Sequence, residues 1–434
     1  MTWPPPGAAL PECGRLHNWL AAQDTRQVCV PDSRASSEYS LAADPIAHTF
    51  DTRLVEGRNS ALRKHAHNLI KSVRPLIWIE SADVSATRAA IQLTEACRGT
   101  AHVADSPGAA NVAAVLSSCG TLGTSLAEVA SHADLVLHVG HRHLKELPRL
   151  APRFFNARTS TSNAKAVQHI LIGDGPLDDW RSIAQMYGQA DGSANSIHLP
   201  WSRHHWLEML TQVLLVARGD QVPTNRPIDA IDPMVVQLAE ALAASRYAVI
   251  LWDQDEFADE LDRLLVERLL EIAQHFSETT RCSLLPLGND PGRSTAHETL
   301  LWLTNFAGTT QFADGHWSNA RHSLTATLDD WQAEYDWILC LRNLPSDRPL
   351  PDLRFDLLID ATCNLPTQRA NDSIIDIAAV GLDCAGHLQR VDHAFSAYLR
   401  AASPTAQSTA ITQPTAAQVL KQLTNEVLQA RGPA

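Results

Sequence analysis

The chain has 434 residues, a formal net charge of -13, 45% hydrophobic residues and 19% charged residues. That length and apolar content suffice for about three globular units with buried cores. An acidic balance without runs of Lys and Arg excludes a nucleic-acid or anionic-membrane surface, because both need clustered cations. No apolar stretch approaches the ~18 residues of a membrane span, and the start, with Pro4, Pro5 and Pro6, carries no apolar leader core, so a cytoplasmic protein is expected.

Residues 1–57 read as an irregular segment with a short helix at 16–22 and a short strand at 27–31. An α/β alternation starts near residue 60. Ala61 to Val73 has the spacing of an amphipathic helix. Pro75 to Glu80 is a short apolar run of the kind that forms a strand buried on both faces. Helices are expected at 85–98 and 111–118, then strands at 134–139, 167–172 and 196–199, and a helix at 205–218. Three prolines between Gly219 and Pro233 mark a linker. Beyond it come a helix at 234–245, a strand at 247–252, a long helix at 256–275 and strands at 283–287, 336–341 and 357–360. A polar tail at 403–414 precedes a final helix at 415–430, placed to dock on the body or on a partner. Strands alternating with helices predict βαβ units and parallel sheets.

No phosphate-loop pattern occurs: Gly173-Asp174-Gly175 follows a strand but is closed by Pro176. His141 and His143 follow a strand end, where sheet ligands gather. No further metal donor stands at suitable spacing, and Lys145 and Arg149 oppose a cation, so the pair is expected as solvated loop residues. His65 and His67 lie within a helix on diverging directions, and His204 and His205 are expected at the surface. No nucleophile elbow is present. Asp178-Asp179 and Asp329-Asp330 read as helix N-terminal charges. The eight cysteines, Cys13, Cys29, Cys97, Cys119, Cys282, Cys340, Cys363 and Cys384, form no C-x-x-C pair and are expected as scattered reduced thiols.

Two long blocks resemble a known family. Residues 74–149 carry Pro-Leu-Ile at 75–77, Thr-Leu-Gly-Thr-Ser-Leu-Ala-Glu-Val at 121–129, Ala-Asp-Leu-Val-Leu-His-Val-Gly at 133–140 and Pro-Arg at 148–149. Residues 284–400 carry Leu-Gly-Asn-Asp-Pro-Gly at 287–292 and end with Val-Gly-Leu-Asp-Cys-Ala-Gly-His-Leu-Gln-Arg-Val-Asp at 380–392. In order and spacing these are similar to the beta subunit of formylmethanofuran dehydrogenase, and more closely to its bacterial counterpart, the beta subunit of the formyltransferase/hydrolase complex.

The resemblance implies an α/β fold of the formate dehydrogenase/DMSO reductase (molybdopterin oxidoreductase) type. A split domain at 58–125 and 230–400 would hold an inserted Rossmann-like domain at 126–222, with a tail at 401–434. Where metal-dependent relatives carry a ligating cysteine, this chain reads Ala104-Asp105-Ser106-Pro107-Gly108, and the N-terminal cluster motif of four close thiolates is missing. The iron–sulfur and metal centres are therefore expected to be lacking. The implied role is a non-catalytic structural subunit with no cofactor of its own. Its implied partners are a formyltransferase subunit, an amidohydrolase-like subunit and a further small subunit. Their complex would convert formyl-tetrahydromethanopterin to formate through a methanofuran-type carrier. An active molybdopterin-dependent formylmethanofuran dehydrogenase subunit is the alternative. Asp105, Ser106, Asn111, Asn289 and Asn305 are expected around the vacated cofactor position, either filled in or lining a channel for the carrier.

Overall fold

The computed structural model describes residues 52–104, 107–147, 150, 154, 167–174, 196–219, 231–259, 261–288, 290–306, 308–320, 328–344, 349–361, 373–394, 396–402 and 413–432. The expected helix at 16–22, strand at 27–31, Cys13, Cys29, Cys363, Asp178-Asp179 and most of the 403–414 tail lie outside the described residues.

Helix α1 (Thr52–Lys71) leads to strand β1 (Pro75–Ser81), helix α2 (Val84–Cys97) and strand β2 (Thr100–Val103). Next come α3 (Pro107–Cys119), α4 (Leu126–His132), β3 (Leu135–Val139), the short α5 (Arg142–Glu146), β4 (Gln168–Ile172) and β5 (Ser196–Leu199). The chain continues through α6 (Trp206–Arg218), α7 (Pro233–Ala244), β6 (Tyr247–Asp253), α8 (Asp262–Ser277), β7 (Arg281–Leu287) and α9 (Pro291–Thr304). It closes with the hairpin β8 (Thr309–Ala313) and β9 (His316–Asn319), then α10 (Leu328–Glu334), β10 (Trp337–Arg342), β11 (Leu357–Asp360) and β12 (Ser373–Asp376). A second hairpin, β13 (Gly386–Gln389) and β14 (Ser396–Leu399), precedes α11 (Ala416–Arg431).

The strands build two main sheets. One has seven strands in the order β12-β11-β10-β1-β2-β8-β9, parallel except for the β8–β9 hairpin. The other has five parallel strands in the order β5-β4-β3-β6-β7. Strands β1, β3, β6 and β10 are buried over their whole length, which is why they read as apolar runs.

In β1 the side chains alternate between two cores. Ile77 and Ile79 pack with α1, α2, α9 and α11, whereas Leu76 and Trp78 pack with Trp331, Tyr335 and Phe355 on the other face. The final helix docks on the body: Val419, Leu420, Leu423 and Val427 are buried against α1 and α2. Its start is fixed by a capping box between Thr415 and Gln418.

Sheet membership corrects the expected boundaries. The second sheet draws on β3 to β5 but also on β6 and β7, so it extends to Leu287 rather than ending near 222. The Pro-rich stretch 219–233 joins two elements of one unit, because α6 and α7 pack on each other in a single core. The stretch expected as one helix at 256–275 is also divided. The Asp253 side chain accepts from Asp255 N at 2.8 Å and starts a 3-10 turn at Gln254–Glu256, Phe257 is buried, and α8 begins at Asp262.

In each sheet the strand order reverses once, between β1 and β10 and between β3 and β6. Such a reversal sends the connections away on opposite sides and opens a crevice beyond the strand C-termini, the position at which α/β sheets bind ligands.

Candidate functional site

At the reversal in the seven-stranded sheet, β1 ends with Glu80 and Ser81, β10 with Arg342, and β11 with Asp360. The chain's return from the second sheet brings the N-terminus of α9 to the same crest. Asp290 caps that helix by accepting from Gly292 N and Arg293 N, both at 3.1 Å, and Pro291 stands in its first turn. Gly292 is needed for the close approach: a Cβ there would sit 2.8 Å from Ser81 Cβ.

The charged groups on this crest pair with one another. Arg293 forms an ion pair with Glu80, which also accepts from Trp78 Nε1 at 3.1 Å. The guanidinium of Arg342 meets Asp360 with two parallel bonds, Nε to Oδ1 at 3.0 Å and Nη2 to Oδ2 at 2.7 Å. Asp83 accepts from Asn343 Nδ2 at 2.7 Å and returns the bond from its own amide to Asn343 Oδ1 at 3.0 Å. Its carboxylate also caps α2 through Ser85 N and Ala86 N.

The reversal in the five-stranded sheet is occupied in the same manner. Glu256 lays its carboxylate on the β3–α5 turn and accepts from His141 N and Arg142 N, both at 3.2 Å. Gly140, at φ +77°, makes room for it, since a Cβ there would collide with the Glu256 carboxyl group. Arg142 reaches back to Asp253 at 3.6 Å and Asp255 at 3.4 Å. Burial, reinforced by Asp255, pushes the Asp253 carboxyl up to about 7 despite Arg142. Burial likewise raises Glu256, against the two backbone donors.

The expectation for His143 is overturned. It is not a solvated loop residue but fully buried, stacked on His138 with ring planes 5° apart. His138 Nδ1 lies 2.9 Å from His143 Nε2, and His138 Nε2 lies 3.1 Å from His169 Nδ1. Three imidazoles from β3, β4 and the α5 turn thus form one hydrogen-bonded row inside the sheet. Burial depresses His143 and His169 to about 3 and His138 well below its ordinary value. The row is not a ligand set, because His138 spends both ring nitrogens on its neighbours. His141 is partly exposed beside Glu256, and His204 and His205 are exposed. Asp329 and Asp330 stand in the first turn of α10.

Of the five residues expected around a vacated cofactor position, Asp105, Ser106 and Asn289 lie outside the described residues. Asn111 is buried and donates its amide to Phe257 O at 3.0 Å and Asp259 O at 2.9 Å, tying α3 to the loop before α8. Asn305 is the exposed C-cap of α9 in the left-handed region, φ +68°. Glu80, Arg293, Arg342, Asp360, Asp253 and Glu256 were not foreseen as crest residues. The available clue was a charged residue closing an apolar strand run, as Glu80 and Asp360 do.

A heavy-metal pterin centre calls for a soft thiolate at the crest. The described cysteines do not fit that need. Cys97, Cys282 and Cys384 are buried thiols pushed up to about 12 by burial, Cys340 is buried within β10, and Cys119 is exposed at the end of α3. No metal-dependent step is derived for this chain.

No protein-family model matches the sequence. A curated relative, the beta subunit (FhcB) of the formyltransferase/hydrolase complex Fhc of Methylorubrum extorquens, is 25% identical over 381 residues, covering 86% of this chain and 95% of the relative. The chain is a homologue of FhcB. The fold agrees with a chain in the X-ray structure of the Methylorubrum extorquens formyltransferase/hydrolase complex (FhcABCD) in complex with methylofuran. That likeness has a TM-score of 0.67 and 23% identity, and covers 87% of this chain and 97% of the other. The alignment with FhcB is longer than either block singled out in the sequence, so the resemblance extends to most of the α/β body. Among the described residues, no helix is long and apolar enough to cross a membrane.

Proposed function

We propose that this chain is a non-catalytic structural subunit of a formyltransferase/hydrolase complex. Its companions would be a formyltransferase subunit, an amidohydrolase-like subunit and a further small subunit. The complex would carry a formyl group from formyl-tetrahydromethanopterin to a methanofuran-type carrier and release it as formate. The homology to FhcB supports the assembly. The non-catalytic part rests on one observation: at both sheet reversals the chain's own acids and bases neutralise one another. A site meant for substrate keeps such groups directed at the ligand.

The architecture is read as the molybdopterin oxidoreductase type with its centres lost. Two parallel sheets, one interleaved in the sequence of the other, support that reading, as do the poorly placed thiols. The cofactor position around Asp105, Ser106, Asn111, Asn289 and Asn305 is read as filled in, with Asn111 already used to hold α3 in place.

Purification of the chain from its native cell, with mass identification of companions and a metal assay on the same sample, tests the proposal. Recovery with formyltransferase-like and amidohydrolase-like subunits, free of molybdenum and tungsten, is expected. A companionless chain, or stoichiometric molybdenum or tungsten, overturns it and favours the active molybdopterin-dependent subunit.

A further inference from the structure

Between its two main sheets the chain crosses twice, once from β2 into α3 and once from β7 through Gly288 into α9. Two covalent crossings fix two points. They leave rotation about the line between those points open unless other contacts oppose it. Residues 386–393 provide such contacts and have one foot in each core. Leu388 is buried with Leu344, Ala378, Val380 and Cys384 beside the seven-stranded sheet. Three residues further on, Val391 is buried with Leu126, Val129, Leu285 and Leu287 of the five-stranded sheet.

Polar bonds repeat this division. On the first side, Gln389 N donates to Thr295 Oγ1 at 2.7 Å, and a Cβ on Gly386 would sit 3.0 Å from Asp83 Oδ2. On the second side, Gly288 N donates to Val391 O at 3.2 Å and Leu126 N donates to Asp392 Oδ2 at 2.9 Å. Arg390 braces the same Asp392 oxygen at 3.0 Å. His393 closes the segment. Its Nε2 accepts from Gln254 Nε2 at 3.0 Å at the end of β6, which leaves Nδ1 as the protonated nitrogen, 3.3 Å from Glu298 Oε1 on α9. It holds φ +52°, a left-handed conformation unfavourable for histidine.

We propose that residues 386–393 are a latch that fixes the two sheets in one relative placement, with Val391 and His393 as its catches. The latch makes the chain one rigid body rather than two bodies joined by two crossings. This goes beyond the proposed role and does not depend on which partners the chain has.

Hydrogen exchange on the full chain tests it, comparing the wild type with Val391→Ser/His393→Ala and with His393→Asn. Asparagine tolerates the left-handed backbone and keeps an acceptor for Gln254. The double variant is expected to exchange roughly tenfold faster or more at the amides of Leu126 and Gly288, while β1 and β6 keep wild-type protection. The His393→Asn chain is expected to stay close to wild type. Loss of protection in β1 and β6 together with the latch would overturn the proposal, since the segment would then belong to one cooperative core. So would exchange confined to 386–394 with Leu126 and Gly288 unchanged.

Discussion

Arg342 and Asp360 sit side by side at the ends of β10 and β11, joined by two bonds of 3.0 and 2.7 Å with almost no solvent on either side chain. The parallel register puts them directly opposite each other. A buried pair of this kind is expensive to halve, because the remaining charge has no water to fall back on. Arg342→Ala or Asp360→Ala is expected to cost about 3 to 5 kcal/mol, whereas Arg342→Met with Asp360→Leu is expected to be nearly neutral or stabilising. Urea midpoints of the four proteins check this. If the single and double variants are equally destabilised, the pair is not the source of the loss.

The imidazole row gives the fold an acid limit. His138, His143 and His169 are held neutral when folded, with His143 and His169 near 3, whereas unfolding returns them to ordinary values. Below about pH 6.5 the unfolded chain therefore binds more protons than the folded one. Stability is then lost as pH falls, by up to roughly 1.4 kcal/mol per pH unit for each imidazole. Asp253 acts in the opposite direction: raised to about 7, it binds its proton in the folded state first and adds stability as pH falls from 7 toward 4. Unfolding free energy is thus expected to fall between pH 6.5 and 4.5, and to fall more steeply in Asp253→Asn. A flat profile over that range in the wild type would contradict the burial of the row.

Gly140 and Glu256 form a matched pair of another kind. A side chain at position 140 must take a left-handed backbone and also evict the carboxylate from the two amides it covers. Gly140→Ala is expected to lower stability by about 2 to 4 kcal/mol. In a Glu256→Ala background the same substitution is expected to cost about 1 to 2 kcal/mol, since only the backbone term remains. Thermal or urea unfolding of the double-mutant cycle measures the difference, and strict additivity would exclude the steric link.

Asn111 and Asn305 separate packing from backbone conformation. Removing the Asn111 amide leaves two loop carbonyls, Phe257 O and Asp259 O, without their shared donor, so Asn111→Ala is expected to cost about 1 to 3 kcal/mol. Asn305→Gly is expected to be neutral or slightly stabilising, because glycine suits the left-handed cap, and Asn305→Ala destabilising by about 1 kcal/mol. Equal sensitivity of both sites to alanine and glycine would argue against these separate roles.

The sequence made some of this legible and concealed the rest for physical reasons. Strands such as Pro75–Ser81 and Tyr247–Asp253 are visible because burial on both faces leaves an unbroken apolar run. β2, Thr-Ala-His-Val, is too short and too polar to stand out, although it pairs directly with β1. Sheet membership of β6 was hidden because it depends on pairing with β3, more than 100 positions earlier, while three prolines nearby imitated a boundary. The burial of His143 could not be read locally, since its neighbours come from β3 and β4. The role of 380–392 was half visible. Its order of residues carried the family resemblance, but its grip on Leu126 and Gly288 exists only in three dimensions.

The most direct test of the central claim is the rate of formate release by the assembled complex carrying Asp253→Asn and Glu256→Gln in this chain, with assembly verified by native mass. The account predicts turnover within about twofold of wild type once the complex is intact, because neither carboxyl group meets substrate. A fully assembled complex slowed by roughly a hundredfold or more, equivalent to about 2.7 kcal/mol of lost transition-state stabilisation, would place chemistry on this subunit and contradict the account.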